Sequence, residues 1–143
     1  MKVLLDTNII MDALQERAHF AAEAKEILTR AQGGKDFICL FTANAAADIF
    51  YLYSRARDTR SAKAALSFLI KIFGIVSVTQ DDCSAALKLP IEDFEDALAL
   101  VCAEKTGADY IITRDDDFLR TGSPCKLISP GDFLAMHPQI NVK

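Results

Sequence analysis

The sequence predicts an α/β fold, a three-layer α/β/α sandwich with a central parallel sheet of four to five strands. Short apolar runs alternate along the chain with longer helical segments, which is the pattern of successive βαβ units. The runs are apolar throughout, as in strands that are buried on both faces of a sheet. With 143 residues, 51% of them hydrophobic, the chain can bury a sizeable core. We therefore expect a single domain over 1–143, with a loose tail over 139–143.

The apolar runs and the spacing of apolar residues locate the elements in order. The predicted strands are 2–6, 37–41, 75–78, 110–113 and 126–128. The predicted helices are 7–15, 19–32, 42–54, 59–73, 80–87, 94–105 and a short helix from Pro130. Thr7 or Asn8 can cap the first helix and Thr42 the third, whereas Gly33 and Gly107 are suited to end the second and the sixth. Pro130 is a favoured first-turn residue.

Several classes of protein are disfavoured by the composition. No apolar stretch reaches the roughly 18 residues of a membrane helix, and the apolar N-terminal run stops at Asp6, so we expect a cytoplasmic protein without a membrane partner. The four cysteines are widely spaced among apolar neighbours, which favours reduced thiols in the core. With only two histidines, a zinc site is disfavoured. No glycine-rich phosphate-binding motif follows any strand.

Acidic residues gather where a parallel sheet places its functional groups, outside the carboxyl ends of the strands. The candidates are Asp6 after the first strand, Asp48 in the third helix, Asp96 in the first turn of the sixth helix, and Asp115 with Asp117 after the fourth strand. Such a set suits a hard cation such as Mg²⁺, which takes a few carboxylates and keeps several waters. Two such ions can activate a water and stabilise the leaving oxygen of a phosphodiester.

Each acid also has a structural interpretation. Asp6 can cap the helix that follows it, and Asp48 can face solvent. A carboxylate in a first helical turn is stabilised by the helix dipole, which suits Asp93 and Glu95 better than Asp96, because an apolar helix such as 97–103 is buried. The run 115–117 can be a solvated turn.

The motifs in their order resemble the PIN-domain ribonucleases, the fold of VapC-type toxins. The resemblance rests on the segments 3–10 (VLLDTNII), 93–99 (DFEDALA), 110–118 (YIITRDDDF) and 127–134 (LISPGDFL), which span nearly the whole chain. It implies a metal-dependent endoribonuclease that acts on single-stranded RNA. It further implies Mg²⁺ or Mn²⁺ as the cofactor, a homodimer, and a small antitoxin protein as a partner of a toxin.

The resemblance also assigns roles to residues. Asp6, Asp96 and Asp115 match the first, third and fourth acids of the family, and Asp117 is an additional or alternative metal ligand. The second acid is commonly Glu, whereas the matching place carries Asp48, whose shorter side chain would ligate the metal or orient an attacking water. Asn8 and Thr113 match supporting polar residues.

Two other functions are open at this point. A PIN-like binding or regulatory module without turnover would explain the departure at Asp48. A receiver-like signalling domain also carries an acidic pocket on a parallel sheet, but its chemistry usually wants a lysine after the fifth strand, and Lys126 begins that strand instead.

The net charge of −4 at first argues against a polyanionic substrate. Setting aside Asp6, Asp48, Asp96 and Asp115 leaves 16 of the 20 acids, which equals the 16 lysines and arginines. The remaining surface can then carry a basic path, for which Arg55, Arg57, Arg60 and Lys63 are the candidates, although a solvated face needs no such function.

Overall fold

The computed structural model describes residues 1–121, 123 and 125–139, so most of the expected tail lies outside the described residues. A parallel sheet with helices on both faces confirms the predicted α/β/α sandwich. The strands are β1 (Lys2–Leu5), β2 (Ile38–Thr42), β3 (Gly74–Val76), β4 (Tyr110–Ile112) and β5 (Lys126–Ile128). The helices are α1 (Thr7–Leu14), α2 (Ala21–Gly33), α3 (Ala43–Ala56), α4 (Thr59–Ile72), α5 (Gln80–Leu87), α6 (Phe94–Thr106), α7 (Asp116–Leu119) and α8 (Pro130–Met136).

The strand order is β3-β2-β1-β4-β5, and every neighbouring pair is parallel. The chain leaves the central strand β1 toward β2 and β3, and later returns to its other side through β4. The order therefore reverses between β1 and β4, where open α/β sheets form their ligand crevice.

Two hydrophobic cores lie on the two faces of the sheet. Along β1, Val3 and Leu5 belong to the core beneath α1, α2, α3, α4 and α8, whereas Leu4 belongs to the core with α5 and α6. In β4, Ile112 packs into the first core and Ile111 into the second. Because side chains alternate between the two faces of a strand, this division explains why the strands are apolar without interruption.

Strand ends follow the register of the sheet. The predicted third strand, 75–78, is observed as Gly74–Val76, because its pairs with Leu40, Phe41 and Thr42 run out where β2 ends and α3 begins. Thr42 caps α3 as predicted and accepts a hydrogen bond from the Ala45 amide at 3.3 Å. The side chain at the end of β2 therefore also starts the next helix.

Two further differences from the prediction concern helices. The second helix begins at Ala21 rather than at 19, because His19 has a φ of 71° and cannot be part of a right-handed helix. The short helix α7 was not predicted, since its sequence of consecutive aspartates is typical of a turn. At the other end, α2 includes the predicted terminator Gly33, and the next residue, Gly34, adopts a φ of 64° as the left-handed cap.

All four cysteines are free thiols, as predicted, and three of them are buried. Burial raises the pKa of the Cys39 thiol far above its ordinary value. No helix among the described residues is both long and apolar enough to cross a membrane.

Candidate active site

The candidate site lies at the carboxyl ends of the two strands β1 and β4. Their register pairs Leu5 with Ile112, so the next residues, Asp6 and Thr113, leave the sheet side by side. The Asp6 amide donates a hydrogen bond to the Ile112 carbonyl at 3.0 Å, which continues the ladder by one step. Parallel pairing therefore brings together two positions that are 107 residues apart in the chain.

Thr113 joins the acids of two segments. Its side chain is fully buried, and its hydroxyl donates a hydrogen bond to Asp6 Oδ2 at 2.7 Å. The same hydroxyl oxygen accepts a hydrogen bond from the Asp115 amide at 3.1 Å. A threonine hydroxyl can donate once and accept as well, and both capacities are used here. Thr113, to which the resemblance assigns a supporting role, therefore contacts both the Asp6 carboxylate and the Asp115 backbone.

The structural interpretation of Asp6 as a helix cap is wrong in one respect. Asp6 occupies the N-cap position of α1, but its side chain makes no capping hydrogen bond to that helix. The carboxylate instead faces Thr113. Burial raises the pKa of Asp6, and the hydrogen bond from Thr113 opposes that rise. A half-buried acid of this kind favours either a proton or a cation beside it.

The first turn of α6 brings further acids to the site. Asp93 is the N-cap and accepts a hydrogen bond from the Asp96 amide at 3.0 Å. Partial burial raises the pKa of Asp96 to about 7, and the charges of Asp93 and Asp6 add to the effect. Asp96 therefore lies close to the carboxylates of Asp93, Asp6 and Asp115, at the protein side of α6 that the apolar character of this helix predicted.

The segment after β4 supplies Asp115 and Asp117. Asp115 caps α7, and its Oδ1 accepts a hydrogen bond from the Asp117 amide at 2.9 Å. The Asp117 side chain is 92% exposed and lies 3.8 Å from Arg120. The two acids line the same cleft, but only Asp115 is among the charges that raise the pKa values of Asp6 and Asp96. This favours Asp115 over Asp117 as the acid of the centre.

Two cavities meet at Asp96. The outer cleft, about 620 Å³, is lined by acids, including Asp93, Asp115 and Asp117. The inner cavity, about 30 Å³, is lined by Asp6, Asn44 and Glu95 among others. Asp96 lines both. None of the described residues that line them is a lysine, an arginine or a histidine. The lining is therefore strongly acidic from the surface down to the sheet.

Glu95 and Asn44 belong to the site although the sequence did not single them out for function. Partial burial raises the pKa of Glu95, and the next largest cause is the charge of Asp48, so these two acids are neighbours. Asn44 Oδ1 is buried and has no hydrogen-bond partner among the described residues. The sequence pattern indicated Glu95 only as a carboxylate stabilised by the helix dipole. It could not predict that Glu95 lies beside Asp48, because the two residues belong to different helices.

Of the other candidates, Asp48 lies next to Glu95. Asp48 is half-buried in α3 rather than exposed. Asn8 is half-buried, and its Oδ1 is the second buried side-chain oxygen without a partner in the described part of the chain. The basic candidates are exposed at the end of α3 and the start of α4. They are Arg55, Arg57, Arg60 and Lys63. Arg55 donates a hydrogen bond to the Tyr51 hydroxyl at 2.6 Å, and Arg57 donates one to the Tyr53 hydroxyl at 3.3 Å.

A lysine at the site, which the receiver-like alternative needs, is not supplied by Lys126. This residue begins β5, so it lies at the amino ends of the parallel strands, whereas Asp6 and Thr113 follow the carboxyl ends of β1 and β4. Its Nζ lies 5.6 Å from the centre of the Tyr110 ring. The direction of β5 thus removes the residue on which that alternative depended.

The donor set fits a hydrated divalent cation. Over 1–121, 123 and 125–139, no three His, Cys, Asp or Glu side chains are close enough to enclose a metal ion by themselves. Mg²⁺ does not require such a cage, because it retains waters and uses one or two carboxylates together with substrate phosphate. Burial, and then the charges of Asp93, Asp6 and Asp115, raise the pKa of Asp96 to about 7, and none of the described residues that line the outer cleft is a lysine, an arginine or a histidine.

Comparison with known proteins agrees with this architecture. Residues 2–117 match the family model described as PIN domain. The chain is 26% identical over 125 residues to Ribonuclease VapC1 of Aquifex aeolicus (strain VF5), a match that covers 82% of this chain and 83% of that protein.

Two solved structures share the fold. The Sarcin-Ricin loop cleaving toxin VapC20 of Mycobacterium tuberculosis has a TM-score of 0.67 and 20% identity over 85% of this chain and 95% of that one. A toxin–antitoxin complex from Klebsiella pneumoniae has a TM-score of 0.67 and 23% identity over 90% of this chain and 97% of that one.

Proposed function

We propose that the chain, which belongs to the PIN domain family, is a divalent-metal-dependent endoribonuclease that hydrolyses phosphodiester bonds in single-stranded RNA. The observation that carries the proposal is the convergence of Asp6, Asp96 and Asp115 at the point where the strand order reverses. Burial and their mutual repulsion together raise the pKa of Asp96 to about 7. A cation that neutralises them would bring the phosphate of a polyanion into a cleft that otherwise repels it.

The proposed metal ligands are Asp6, Asp96 and Asp115, with Asp117 at the exposed side of the cleft. Bound there, Mg²⁺ or Mn²⁺ would polarise the scissile phosphate and lower the pKa of a water molecule. Thr113 holds the Asp6 carboxylate in one orientation through its hydrogen bond of 2.7 Å. The same buried hydroxyl accepts a hydrogen bond from the Asp115 amide, and the Asp115 carboxylate accepts one from the Asp117 amide, so that both carboxylates are oriented before substrate binds.

Asp48 and Glu95 are the proposed acceptors for the proton of the attacking water. They lie next to each other on α3 and α6, and Glu95 lines the inner cavity together with Asp6 and Asp96. A carboxylate with a raised pKa is a better base near neutral pH than one with an ordinary pKa. The second acid of the family is commonly Glu, and in this chain Glu95 would supply an acidic side chain of that length next to the shorter Asp48.

The partners follow from the same proposal. Relatives that are ribonucleases or toxins in complexes with antitoxins support a role as the toxin of a toxin–antitoxin pair. Large apolar side chains are exposed on α3 and α4, with Tyr51 56%, Leu52 40%, Phe68 42% and Ile70 52% exposed. Such exposure supports a protein contact on these helices, either in a homodimer or with an antitoxin. Light scattering of the purified chain, alone and with a co-expressed antitoxin, distinguishes these assemblies.

The test of activity is cleavage of single-stranded RNA with Mn²⁺ or Mg²⁺, with and without a chelator. We expect metal-dependent cleavage by the wild type and none by Asp6→Asn or Asp96→Asn. Asp116→Asn is the matched control, because this exposed acid lies between Asp115 and Asp117 and lines neither cavity. Cleavage that persists in both site variants would overturn the mechanism.

The alternative function, a PIN-like binding or regulatory module without turnover, predicts a different result. Calorimetry would show either no divalent binding or binding that the Asp96→Asn variant loses, while RNA would remain uncut under every metal condition. The same two assays therefore separate an enzyme from a module.

A further inference from the structure

A buried acid outside the cleft is connected to the proposed active site. Asp12 lies in α1, is fully buried, and lines neither the outer cleft nor the inner cavity. An ionised carboxylate in such a place costs several kcal/mol unless it is paired and hydrogen-bonded. Its partner is Arg114, which lies 102 positions further along the chain, between Thr113 and Asp115.

The pair is held by two hydrogen bonds. Arg114 Nε donates to Asp12 Oδ2 at 2.6 Å, and Nη2 donates to Oδ1 at 3.1 Å. The guanidinium also lies over the Phe20 ring, 4.1 Å from its centre. This forked geometry fixes a plane as well as a distance, which a lysine could not do. Arg17 makes a longer contact to Asp12 at 3.5 Å.

The connection spans the two segments that carry the central acids. Asp12 is in the helix that begins directly after Asp6, and Arg114 directly precedes Asp115. The side chain of Arg114 ties the loop after β4 to α1, while the hydroxyl of Thr113 ties the same loop to Asp6. Two side-chain links on consecutive residues leave the backbone at Asp115 little freedom to rotate.

On the basis of the proposed function, we infer that Arg114, anchored by Asp12, is a positioning residue that holds Asp115 in the catalytic arrangement. Stability alone does not account for the pair, because a buried ion pair can often be replaced by apolar residues with no loss of stability. An error of about 1 Å in the placement of a catalytic group can cost on the order of 100-fold in rate. The link therefore matters chiefly for the geometry of the acids.

The test compares Arg114→Lys, which keeps the charge, with the double variant Asp12→Leu/Arg114→Met, which replaces the pair by apolar side chains. Arg30→Met is the matched control. Arg30 is also paired with a carboxylate, Asp36 Oδ2, at 3.1 Å from its Nε, and lies over the Phe37 ring at 5.2 Å, but it lines neither acidic cavity and bonds to the His137 carbonyl.

The measurements are kcat and KM for RNA cleavage, the melting temperature, and hydrogen exchange of the amides of Asp115, Asp117 and Phe118. These amides donate to Thr113 or to the Asp115 carboxylate. We expect kcat to fall by on the order of 10- to 100-fold in both Arg114 variants, with KM little changed. The three amides should exchange faster, while Arg30→Met changes neither kcat nor these amides. The double variant should keep its melting temperature.

Unchanged kcat in the folded double variant would overturn the inference, as would unchanged exchange of the three amides. If the double variant does not fold, Arg114→Lys decides by the same two criteria. If the wild type cleaves no RNA, the proposed function fails, and the exchange rates alone then decide whether the pair holds the loop.

Discussion

The hydroxyl of Thr113 donates a hydrogen bond to Asp6 Oδ2 at 2.7 Å, across the ends of two parallel strands that are neighbours in the sheet but distant in the chain. The bond is made where the order of the strands reverses, and its acceptor, Asp6, lines the inner cavity. It orients the first acid of the site without neutralising it, because a hydroxyl carries no charge.

Replacing Thr113 by Val should reduce activity and stability together. The change removes the donor to the half-buried Asp6 carboxylate and the acceptor of the Asp115 amide, and a polar group left without a partner costs up to about 1–3 kcal/mol when it is buried. Thr113→Ser keeps the hydroxyl and should recover most of the activity. Thr106→Val is the control, because that hydroxyl bonds only to helix carbonyls. RNA cleavage and thermal melting of the three variants check this prediction, and equal activity of the Val and Ser variants would contradict it.

Replacing Asp96 by Asn should stabilise the metal-free protein at neutral and alkaline pH. The folded protein holds the Asp96 proton with a pKa of about 7, against an ordinary value of 3.8. The folded state therefore binds more protons than the unfolded state between these values, and the contribution of Asp96 to stability falls as the pH rises through this window. Asparagine does not ionise, so the variant should melt a few degrees above the wild type at about pH 8 and close to it at about pH 4.

The measurement for Asp96→Asn is thermal melting in chelator across this range of pH, with Asp116→Asn as the control. Adding Mn²⁺ should raise the melting temperature of the wild type at neutral pH and leave that of Asp96→Asn nearly unchanged, because bound cations stabilise only the state that binds them. If the difference in melting temperature between the wild type and Asp96→Asn does not grow with pH, the pKa of Asp96 is not raised in the folded protein.

Replacing Glu95 by Gln should lower kcat more than it raises KM, because the proposed role of Glu95 is to accept a proton rather than to bind RNA. We expect a loss of roughly 10²-fold or more, the usual contribution of a positioned general base. Asp48→Asn should give a smaller loss if Glu95 carries the larger share. A result in which Asp48→Asn is inactive and Glu95→Gln is fully active would reverse the two roles.

Removing positive charge at the junction of α3 and α4 should weaken RNA binding without changing kcat. Arg60→Gln and Lys63→Gln together should raise KM and reduce the salt slope of log K by about 0.7 for each RNA phosphate that the variant no longer neutralises. Lys35→Gln with Lys88→Gln removes the same charge from other exposed positions and is the control. Binding to short single-stranded RNA over a series of salt concentrations gives the slopes, and equal slopes for both double variants would exclude this surface.

Much of the fold was predictable because its signals are local. The helix over 80–87 and the strand over 126–128 were predicted with the bounds that the structure shows. In the structure, Thr79 caps that helix, and Ser129 caps the helix that follows the strand. The start of α2 was not predictable, because the backbone at His19 adopts a positive φ that no residue type near it demands. The helix α7 was missed because consecutive aspartates are typical of a turn, whereas in the structure Asp115 caps a short helix that begins at Asp116.

By itself, the sequence determined the parallel sandwich and the positions of Asp6, Asp96 and Asp115 at the ends of elements, because buried strands, caps and helix faces leave short-range patterns. The tertiary structure decided which acids are neighbours. Strand register placed Thr113 against Asp6, and the packing of α3 and α6 brought Asp48 beside Glu95. Only the fold could pair Asp12 with Arg114, because a bond between residues 102 positions apart depends on where parallel strands end rather than on any local pattern.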